Sequence, residues 1–203
     1  MITRKLIIGI LLSISSMGLI AQETKTGETA IILLDRMSRI IGELEACSFT
    51  VNASQDVDTY DFGTIKKTST SEVLFVGPDK MNVQTHGKKG HKGIWYNGDK
   101  IYFYSYIENN YAVVDVPSNI METIEFINND YGIEFPAADF FYPTFTDDII
   151  ENFTEIRLVG LDIINGMECY HITVNNDIMN VQFWISNDTY NLPAKYVIVY
   201  KNE

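Results

Sequence analysis

Three histidines are the side chains of this sequence with the widest chemical range, because an imidazole can bind a metal ion or move a proton near neutral pH. His86 and His91 flank a glycine-rich turn, and His171 lies in a run of strand-forming residues. They show neither the paired helical spacing nor the neighbouring cysteine pair that is typical of metal sites. We therefore expect exposed or structural histidines, and we predict no metal and no other cofactor.

Catalytic motifs are the second source of chemistry. The sequence contains no Gly-x-Ser-x-Gly nucleophile elbow, no phosphate-binding loop and no dinucleotide-binding fingerprint. An enzyme would need polar groups that only folding brings together in a cleft. We therefore predict that the protein is not an enzyme, and we assign no catalytic residue.

Two cysteines, Cys47 and Cys169, allow one internal disulfide. A bridge is expected in an exported chain if the strands that carry them approach each other, because it needs Cα atoms within about 7 Å. Two free buried thiols explain the same residues nearly as well. The sequence leaves both interpretations open.

The N-terminus has the residue order of a secretory signal peptide. Arg4 and Lys5 precede an apolar run over residues 6–20, and the small residue Ala21 follows it. Serines and a glycine interrupt this run, which is shorter than the roughly 20 apolar residues that cross a bilayer. We predict a signal peptide over residues 1–21, cleaved near Ala21, and a periplasmic or secreted bacterial protein with no membrane span in its mature chain.

The net charge disfavours several classes of partner. It is −12 for the whole chain, and it becomes −14 when the two positive charges of Arg4 and Lys5 are removed. Such a field repels nucleic acids and anionic lipid surfaces. The basic segment 86–92 is rich in glycine and is best explained as an exposed turn. We expect no nucleic-acid partner.

Composition predicts a well-filled core. Apolar residues make up 46% of the chain, which includes 12 tyrosines and 11 phenylalanines. A chain of this size can bury about 70% of its unfolded surface without disulfide or metal staples. No low-complexity linker, charge block or internal repeat divides it, so we predict a single domain over residues 22–203.

Apolar residues recur at helical spacing between residues 29 and 44, which predicts one amphipathic helix. The positions at this spacing are Ile32, Leu33, Arg36, Met37, Ile40, Ile41 and Leu44. From Ala46 onward the period changes to two, and turn residues separate about seven predicted strands. The clearest runs are 46–53, 69–76, 80–85, 93–97, 100–107 and 111–116. Residues 55–67 mix aromatic residues with aspartates and fit neither strand nor loop well.

A helical insertion at about 118–153 interrupts the strands. Ser118 is placed to cap its first helix, and Thr146 stands near the start of a later one. Four more strands are predicted at 155–164, 168–174, 180–186 and 194–200, with a tight hairpin at Asn165-Gly166. The pattern predicts an antiparallel α+β fold with an N-terminal helix and a helical lid.

Several short motifs resemble known families. The segments Gly77-Pro78-Asp79-Lys80, Trp95-Tyr96-Asn97-Gly98-Asp99, Tyr102-Phe103-Tyr104 and Asn110-Tyr111-Ala112 are similar to the sheet core of the LolA/LolB-like lipoprotein carrier superfamily. A closer resemblance is to the family of predicted periplasmic proteins called domain of unknown function 2092. It rests on Leu34-Asp35-Arg36-Met37-Ser38, Ala46-Cys47-Ser48-Phe49, Tyr131-Gly132-Ile133 with Asp139, and Cys169 with Trp184-Ile185 and Leu192-Pro193. The resemblance covers nearly the whole mature chain.

This resemblance implies a curved antiparallel sheet of about 10–11 strands, an incomplete LolA-like β-barrel, with helices over its concave face. Carriers of the superfamily bind acyl chains of lipoproteins in that cavity. The resemblance therefore implies binding of a hydrophobic ligand, either a lipid or a lipoprotein acyl chain. The ligand-contacting arginine of the carriers has no clear match in this sequence, because Arg36 and Arg39 lie in the predicted N-terminal helix.

The candidate ligand-binding residues are large apolar side chains of the strands and the lid. They are Phe49, Val51, Phe75, Phe103, Phe140, Phe141 and Phe183, with Trp95, Tyr102 and Tyr104 as the alternative if those strands face the other way. Each buried CH₂ contributes about 0.8 kcal/mol, so a tail of roughly 14 carbons offers on the order of 10 kcal/mol before ordering and lid-opening costs.

The same side chains are also what a dry sheet core needs. The alternative function is therefore an envelope protein-interaction or sensor module with a solid core and no ligand, which binds a protein partner through an exposed edge or aromatic patch. In either case we expect a monomer.

Overall fold

The computed structural model describes residues 14–88 and 90–201 of the chain. Residues 1–13 of the predicted signal peptide lie outside the described residues, and its cleavage stays a prediction. Within the described residues, ten strands form two open antiparallel sheets, one of six strands and one of four. The antiparallel α+β fold predicted from the sequence is confirmed, with its strands divided between two sheets.

The backbone falls into two compact units. The six-stranded unit is Glu43–Tyr142, and the four-stranded unit contains the N-terminal helix and the described residues from Pro143 onward. The predicted insertion contains α2 (Ile120–Tyr131), a 3₁₀ helix (Ala138–Phe141) and α3 (Phe145–Asn152). Of these, α3 belongs to the four-stranded unit. The single domain over 22–203 stays a prediction.

The six-stranded unit is a meander in which each strand pairs with the next along the chain. Its strands are β1 (Ala46–Thr59), β2 (Gly63–Val76), β3 (Lys80–Gly87), β4 (Gly90–Tyr96), β5 (Lys100–Ser105) and β6 (Asn110–Asp115). The predicted turn at Asn97-Gly98-Asp99 joins β4 to β5. Gly98 has a φ of 94° there, a conformation that favours glycine.

A long hairpin replaces the segment that the sequence left unassigned. Strands β1 and β2 pair from Ala46 to their turn, whereas β3 covers β2 only from Ser69 onward. The outer half of the hairpin is therefore a two-stranded ribbon without a third strand. At its tip Tyr60 is 103% exposed and Phe62 is 78% exposed. The ribbon has no buried face, which explains why no apolar period of two marks it in the sequence.

Helix α2 covers one face of this sheet. Its buried residues Ile120, Ile124 and Ile127 join a core cluster with sheet residues such as Val83 and Met81. The predicted cap at Ser118 is wrong by one residue, because Asn119 is the N-cap. Its side-chain oxygen accepts hydrogen bonds from the backbone N–H groups of Met121 at 2.8 Å and Glu122 at 3.4 Å.

This cap leads to a direct prediction. Replacing Asn119 with alanine should lower the free energy of unfolding by about 1 kcal/mol, because the first N–H groups of α2 lose their acceptor. Replacing the neighbouring Ser118 with alanine should change it by less than about 0.5 kcal/mol. Urea denaturation followed by circular dichroism measures both. Equal losses in the two variants would contradict the assignment of the cap.

The four-stranded unit has the strand order β10-β9-β8-β7. Its strands are β7 (Glu155–Ile164), β8 (Met167–Asn175), β9 (Met179–Ser186) and β10 (Pro193–Tyr200). The hairpin predicted at Asn165-Gly166 is confirmed, with φ values of 51° and 83°. Positive φ at both central residues matches the two-residue turn that suits twisted strands.

Helix α1 (Ile14–Gly42) packs against β7 and α3 of the same unit. Leu33, Leu34, Met37 and Ile41 are buried. The predicted apolar stripe is wrong at Ile32, which is 64% exposed. It is also wrong at Leu44, which is exposed and lies beyond the end of the helix. No helix among the described residues is both long and apolar enough to span a membrane.

Candidate functional site

Alternation along the strands gives the six-stranded sheet two faces of different chemistry. Phe49 pairs with Val73, Val73 with Val83, and the row continues through Ile94 to Phe103. These side chains share the face on which α2 packs, which we call the lid face. The opposite face is called the open face, and its residues alternate with those of the lid face.

A small void lies between the lid face and the residues that follow α2. Its volume is about 10 Å³, which is about the minimum for one water molecule. Its lining consists of Phe49, Val73, Phe75, Met81, Val83, Ile124, Phe135, Pro136, Ala138 and Phe141. Every lining residue is apolar, so a water molecule would find no side-chain hydrogen-bond partner there. The lid face therefore has a small apolar gap in this structure, too small for an acyl chain.

Phe141 lines this void and packs on two of its other aromatic residues. Its ring stacks on Phe75 with centroids 4.9 Å apart and on Phe49 with centroids 5.8 Å apart. All three residues are only partly buried, so this aromatic stack extends from the void to the protein surface.

The backbone around Phe141 is held by local bonds. We call residues 135–142 the plug segment. Within it, three backbone N–H groups each donate a hydrogen bond of 3.3 Å to the carbonyl oxygen three residues earlier. The donors are Ala138, Phe140 and Tyr142, and the acceptors are Phe135, Ala137 and Asp139. Ala137 has a φ of 58°, a left-handed conformation that costs a residue with a Cβ about 1–2 kcal/mol. Strain of this kind is often stored where a segment has to move.

The predicted ligand-binding residues fall into three groups. Phe49, Val51, Phe75 and Phe103 lie on the lid face, and Phe141 packs against it. Phe140 is buried in the 3₁₀ helix of the same unit. Trp95, Tyr102 and Tyr104 lie on the open face. Trp95 pairs with Asn82 and Tyr102, and Tyr104 pairs with Gly93, and paired residues share a face of the sheet.

Phe183 belongs to another core. It lies in β9 of the four-stranded unit, where its ring meets Phe145 edge-on at 5.8 Å. Seven of the residues that line the void were not predicted from the sequence: Val73, Met81, Val83, Ile124, Phe135, Pro136 and Ala138. Met81 and Val83 alternate with polar residues along β3. This apolar period of two was the sequence signal that both side chains face the core.

Both cysteines are free thiols in the structure. Cys47 is the second residue of β1 in the six-stranded unit and is partly buried, and Cys169 is buried in β8 of the four-stranded unit. Burial raises the pKa of each thiol. A disulfide between the two cysteines stays a prediction.

The histidines pack as aromatic rings. His86 and His91 stack with centroids 3.9 Å apart, and His91 stacks on Tyr106 at 3.8 Å. Desolvation lowers the pKa of His91, and charge on His86 lowers this pKa further. His171 stacks on Trp184 at 4.3 Å in the other unit. Among the described residues, no three His, Cys, Asp or Glu side chains come together as metal ligands.

The chain was compared with curated proteins and with solved structures. A search of curated proteins found no match. LprF from Mycobacterium bovis is 12% identical over 87% of this chain and 88% of that chain, with a TM-score of 0.47. The lipoprotein LppX from Mycobacterium tuberculosis is 9% identical over 81% and 84%, with a TM-score of 0.43. A LolA superfamily protein from Nitrosomonas europaea is 11% identical over 85% and 71%, with a TM-score of 0.28.

A family model matches the chain and confirms the family that the sequence motifs resemble. The model described as "Predicted periplasmic protein (DUF2092)" matches residues 30–203. The match covers both units and the great majority of the chain. The periplasmic localisation expected from the N-terminus agrees with the description of this family. The chain therefore belongs to the DUF2092 family of predicted periplasmic proteins.

Proposed function

We propose that this periplasmic protein binds the acyl chain of a lipid or lipoprotein between the lid face and the plug segment, and that it catalyses no reaction. The observation that carries the proposal is the void beneath Phe141, whose lining is entirely apolar. A water-filled site would need polar partners. An apolar gap that is lined in part by the partly buried ring of Phe141 is instead suited to a hydrocarbon chain.

The energies favour exchange of the plug for a ligand. Each aromatic contact of Phe141 with Phe49 or Phe75 contributes about 0.5–1.5 kcal/mol beyond its buried area. A tail of roughly 14 carbons offers on the order of 10 kcal/mol of burial at about 0.8 kcal/mol for each CH₂. The apolar burial that a ligand can gain is therefore several times larger than the stacking that Phe141 gives up, before the buried area of the plug segment and the ordering of the ligand are subtracted.

The plug segment also has a backbone suited to opening. Its hydrogen bonds named above join residues within the segment, so they can persist when it moves as a body. Ala137, which has a φ of 58°, lies inside the segment and would keep its conformation in such a movement. Opening would uncover Phe49, Phe75 and Val83 together, which supplies a continuous apolar wall.

Two substitutions with opposite expected effects test this proposal. Phe141→Ala removes the ring that competes with the ligand, so a dansyl-labelled fatty acid should bind about tenfold more tightly, which corresponds to about 1.4 kcal/mol. Ala138→Val adds two methyl groups at the wall of the void, which narrows the space for a hydrocarbon chain, and should weaken binding by at least a similar factor. A fluorescence titration measures both affinities.

The control is Tyr131→Ala, which truncates an exposed aromatic residue at the end of α2. It should leave the affinity unchanged. If none of the three variants changes the affinity, or if the wild-type protein takes up no fatty acid, acyl-chain binding at the lid face is contradicted.

One observation favours the alternative of a protein-interaction module. Tyr60 and Phe62 stand exposed at the tip of the two-stranded ribbon, where aromatic residues often anchor a protein partner. If the protein takes up no acyl chain, and if the double variant Tyr60→Ser with Phe62→Ser loses crosslinks to an envelope protein, that alternative is supported.

A further inference from the structure

The open face of the six-stranded sheet is divided into a polar half and an aromatic half. Two rows of paired residues cross it. The first row is Ser48, Leu74, Asn82, Trp95, Tyr102 and Val113, and the second is Thr50, Glu72, Gln84, Gly93, Tyr104 and Tyr111. Hydroxyl, amide and carboxylate groups come from β1–β3, and aromatic rings come from β4–β6. This division places hydrogen-bonding groups beside flat apolar surfaces.

Trp95 lies flat against the sheet. A Cβ atom added to Gly93 would lie 2.2 Å from Cη2 and 2.7 Å from Cζ3 of the Trp95 indole. The indole therefore covers Gly93 and occupies the space that any other side chain would fill. Trp95 is only partly buried, so ring surface remains accessible. Tyr102, its neighbour in β5, is 37% exposed and extends this platform.

A groove of about 450 Å³ lies on the polar half of the same face. Ser48, Thr50, Glu72, Leu74, Asn82 and Gln84 line it, together with the intervening Phe49 and Val73. Its volume falls within the range of about 300–1,000 Å³ that is usual for small-molecule sites. Asn82 pairs with Trp95 across the strands, so the groove reaches the aromatic platform.

A hydrogen-bond chain orients the amides of the groove. Gln84 donates from Nε2 to Oδ1 of Asn82 at 2.8 Å. The Oε1 atom of Gln84 lies 3.0 Å from Nε2 of His91. The amide of Gln84 is thereby fixed from two sides. Fixed amides bind a ligand at a smaller entropic cost than free ones.

We propose that this open face binds an uncharged saccharide chain. The C–H groups on the face of a sugar ring carry partial positive charge and stack on the negative face of an indole or phenol ring. Sugar hydroxyls donate and accept hydrogen bonds, which the side chains of Asn82, Gln84, Ser48 and Thr50 can return. An acyl chain would leave these polar groups unpaired, so the open face suits a different ligand from the lid face.

The charge of the site selects against acidic sugars. Glu72 lies in the groove, and the chain carries a net charge of −12. Both repel a uronic acid or a phosphorylated glycan. A neutral glycan meets no such penalty. This inference stands independently of acyl-chain binding, because it uses the opposite face of the sheet.

Calorimetric titration of the purified protein with cellohexaose, maltohexaose and the hexamer of N-acetylglucosamine tests the proposal. At least one of these neutral chains should bind, and a hexamer of galacturonic acid should bind at least tenfold more weakly. Failure of all three neutral chains to bind at millimolar concentration would overturn the proposal. Equal binding of the acidic chain would overturn the selection for neutral sugars.

Variants then locate the binding. Trp95→Ala should weaken it at least tenfold, and Gly93→Ala should do the same while keeping the tryptophan, because the added Cβ displaces the indole. Tyr102→Ala, at a partly exposed position, should weaken binding several-fold without loss of folding. The control Tyr200→Ala changes an exposed tyrosine in β10. Unchanged affinity in both Trp95→Ala and Tyr102→Ala would overturn the assignment to the open face.

Discussion

Replacing Trp184 with alanine should lower the free energy of unfolding by about 3–5 kcal/mol, the usual cost of deleting a buried aromatic ring. Trp184 is only 6% exposed. Its ring stacks on His171, and Nζ of Lys195 lies 4.5 Å from the ring centroid. Its Nε1 donates a hydrogen bond to Oδ2 of Asp162 at 3.0 Å. Urea denaturation of the two proteins measures the difference, and a loss below about 1 kcal/mol would contradict this packing.

The conservative variant Trp184→Phe separates the ring from its hydrogen bond. In the folded protein the backbone N–H of Ile163 and then the indole N–H of Trp184 lower the pKa of Asp162. A carboxyl whose pKa is lowered on folding stabilises the protein above its unfolded pKa, about 3.9, and this contribution is lost as the pH falls below that value. Without the indole N–H, folding lowers the pKa of Asp162 by less. The loss of stability between about pH 5 and pH 2 should therefore be shallower in Trp184→Phe than in the wild type.

Leu34→Ala is the second large effect that we expect, with a loss of about 2–5 kcal/mol in the free energy of unfolding. Leu34 is completely buried in α1, so truncation leaves a cavity. Ile32 provides a matched control on the same helix, because it is 64% exposed. Ile32→Ala should change the free energy by less than about 0.5 kcal/mol. Thermal and urea denaturation measure both, and comparable losses would show that the buried side of α1 is assigned wrongly.

Local patterns predicted most of the strands. The run at 155–164 coincides with β7, and Asn165-Gly166 forms the predicted turn. These signals are local, because alternation and positive φ depend on neighbouring residues. The ribbon half of the β1–β2 hairpin was not predicted, since both of its faces are solvated and its sequence carries no apolar period.

The candidate site was predicted only in part. Phe49, Phe75 and Phe141 were named from the sequence, and the structure brings them together. The sequence did not show which face of the sheet Trp95 and Tyr102 occupy, because that depends on the pairing register of several strands. Phe183 was grouped with them although it belongs to the core of the other unit. Which of two apolar cores a residue joins is decided by long-range packing, and a local sequence pattern does not show it.

In this member of the DUF2092 family, the six-stranded sheet has a small apolar void on its lid face and a groove on its open face. The apolar site requires the plug segment to move, because a void of about 10 Å³ holds no acyl chain. The groove requires no such movement. The proposed function therefore depends on a ligand that competes with Phe141.

The most direct test is native mass spectrometry of the protein purified from its own periplasm, followed by organic extraction and lipid analysis. We predict a stoichiometric acyl-containing species that leaves the protein on extraction, and a fatty acid that can replace it. A clean mass of the protein alone, combined with no uptake of fluorescent fatty acid, would contradict acyl-chain binding.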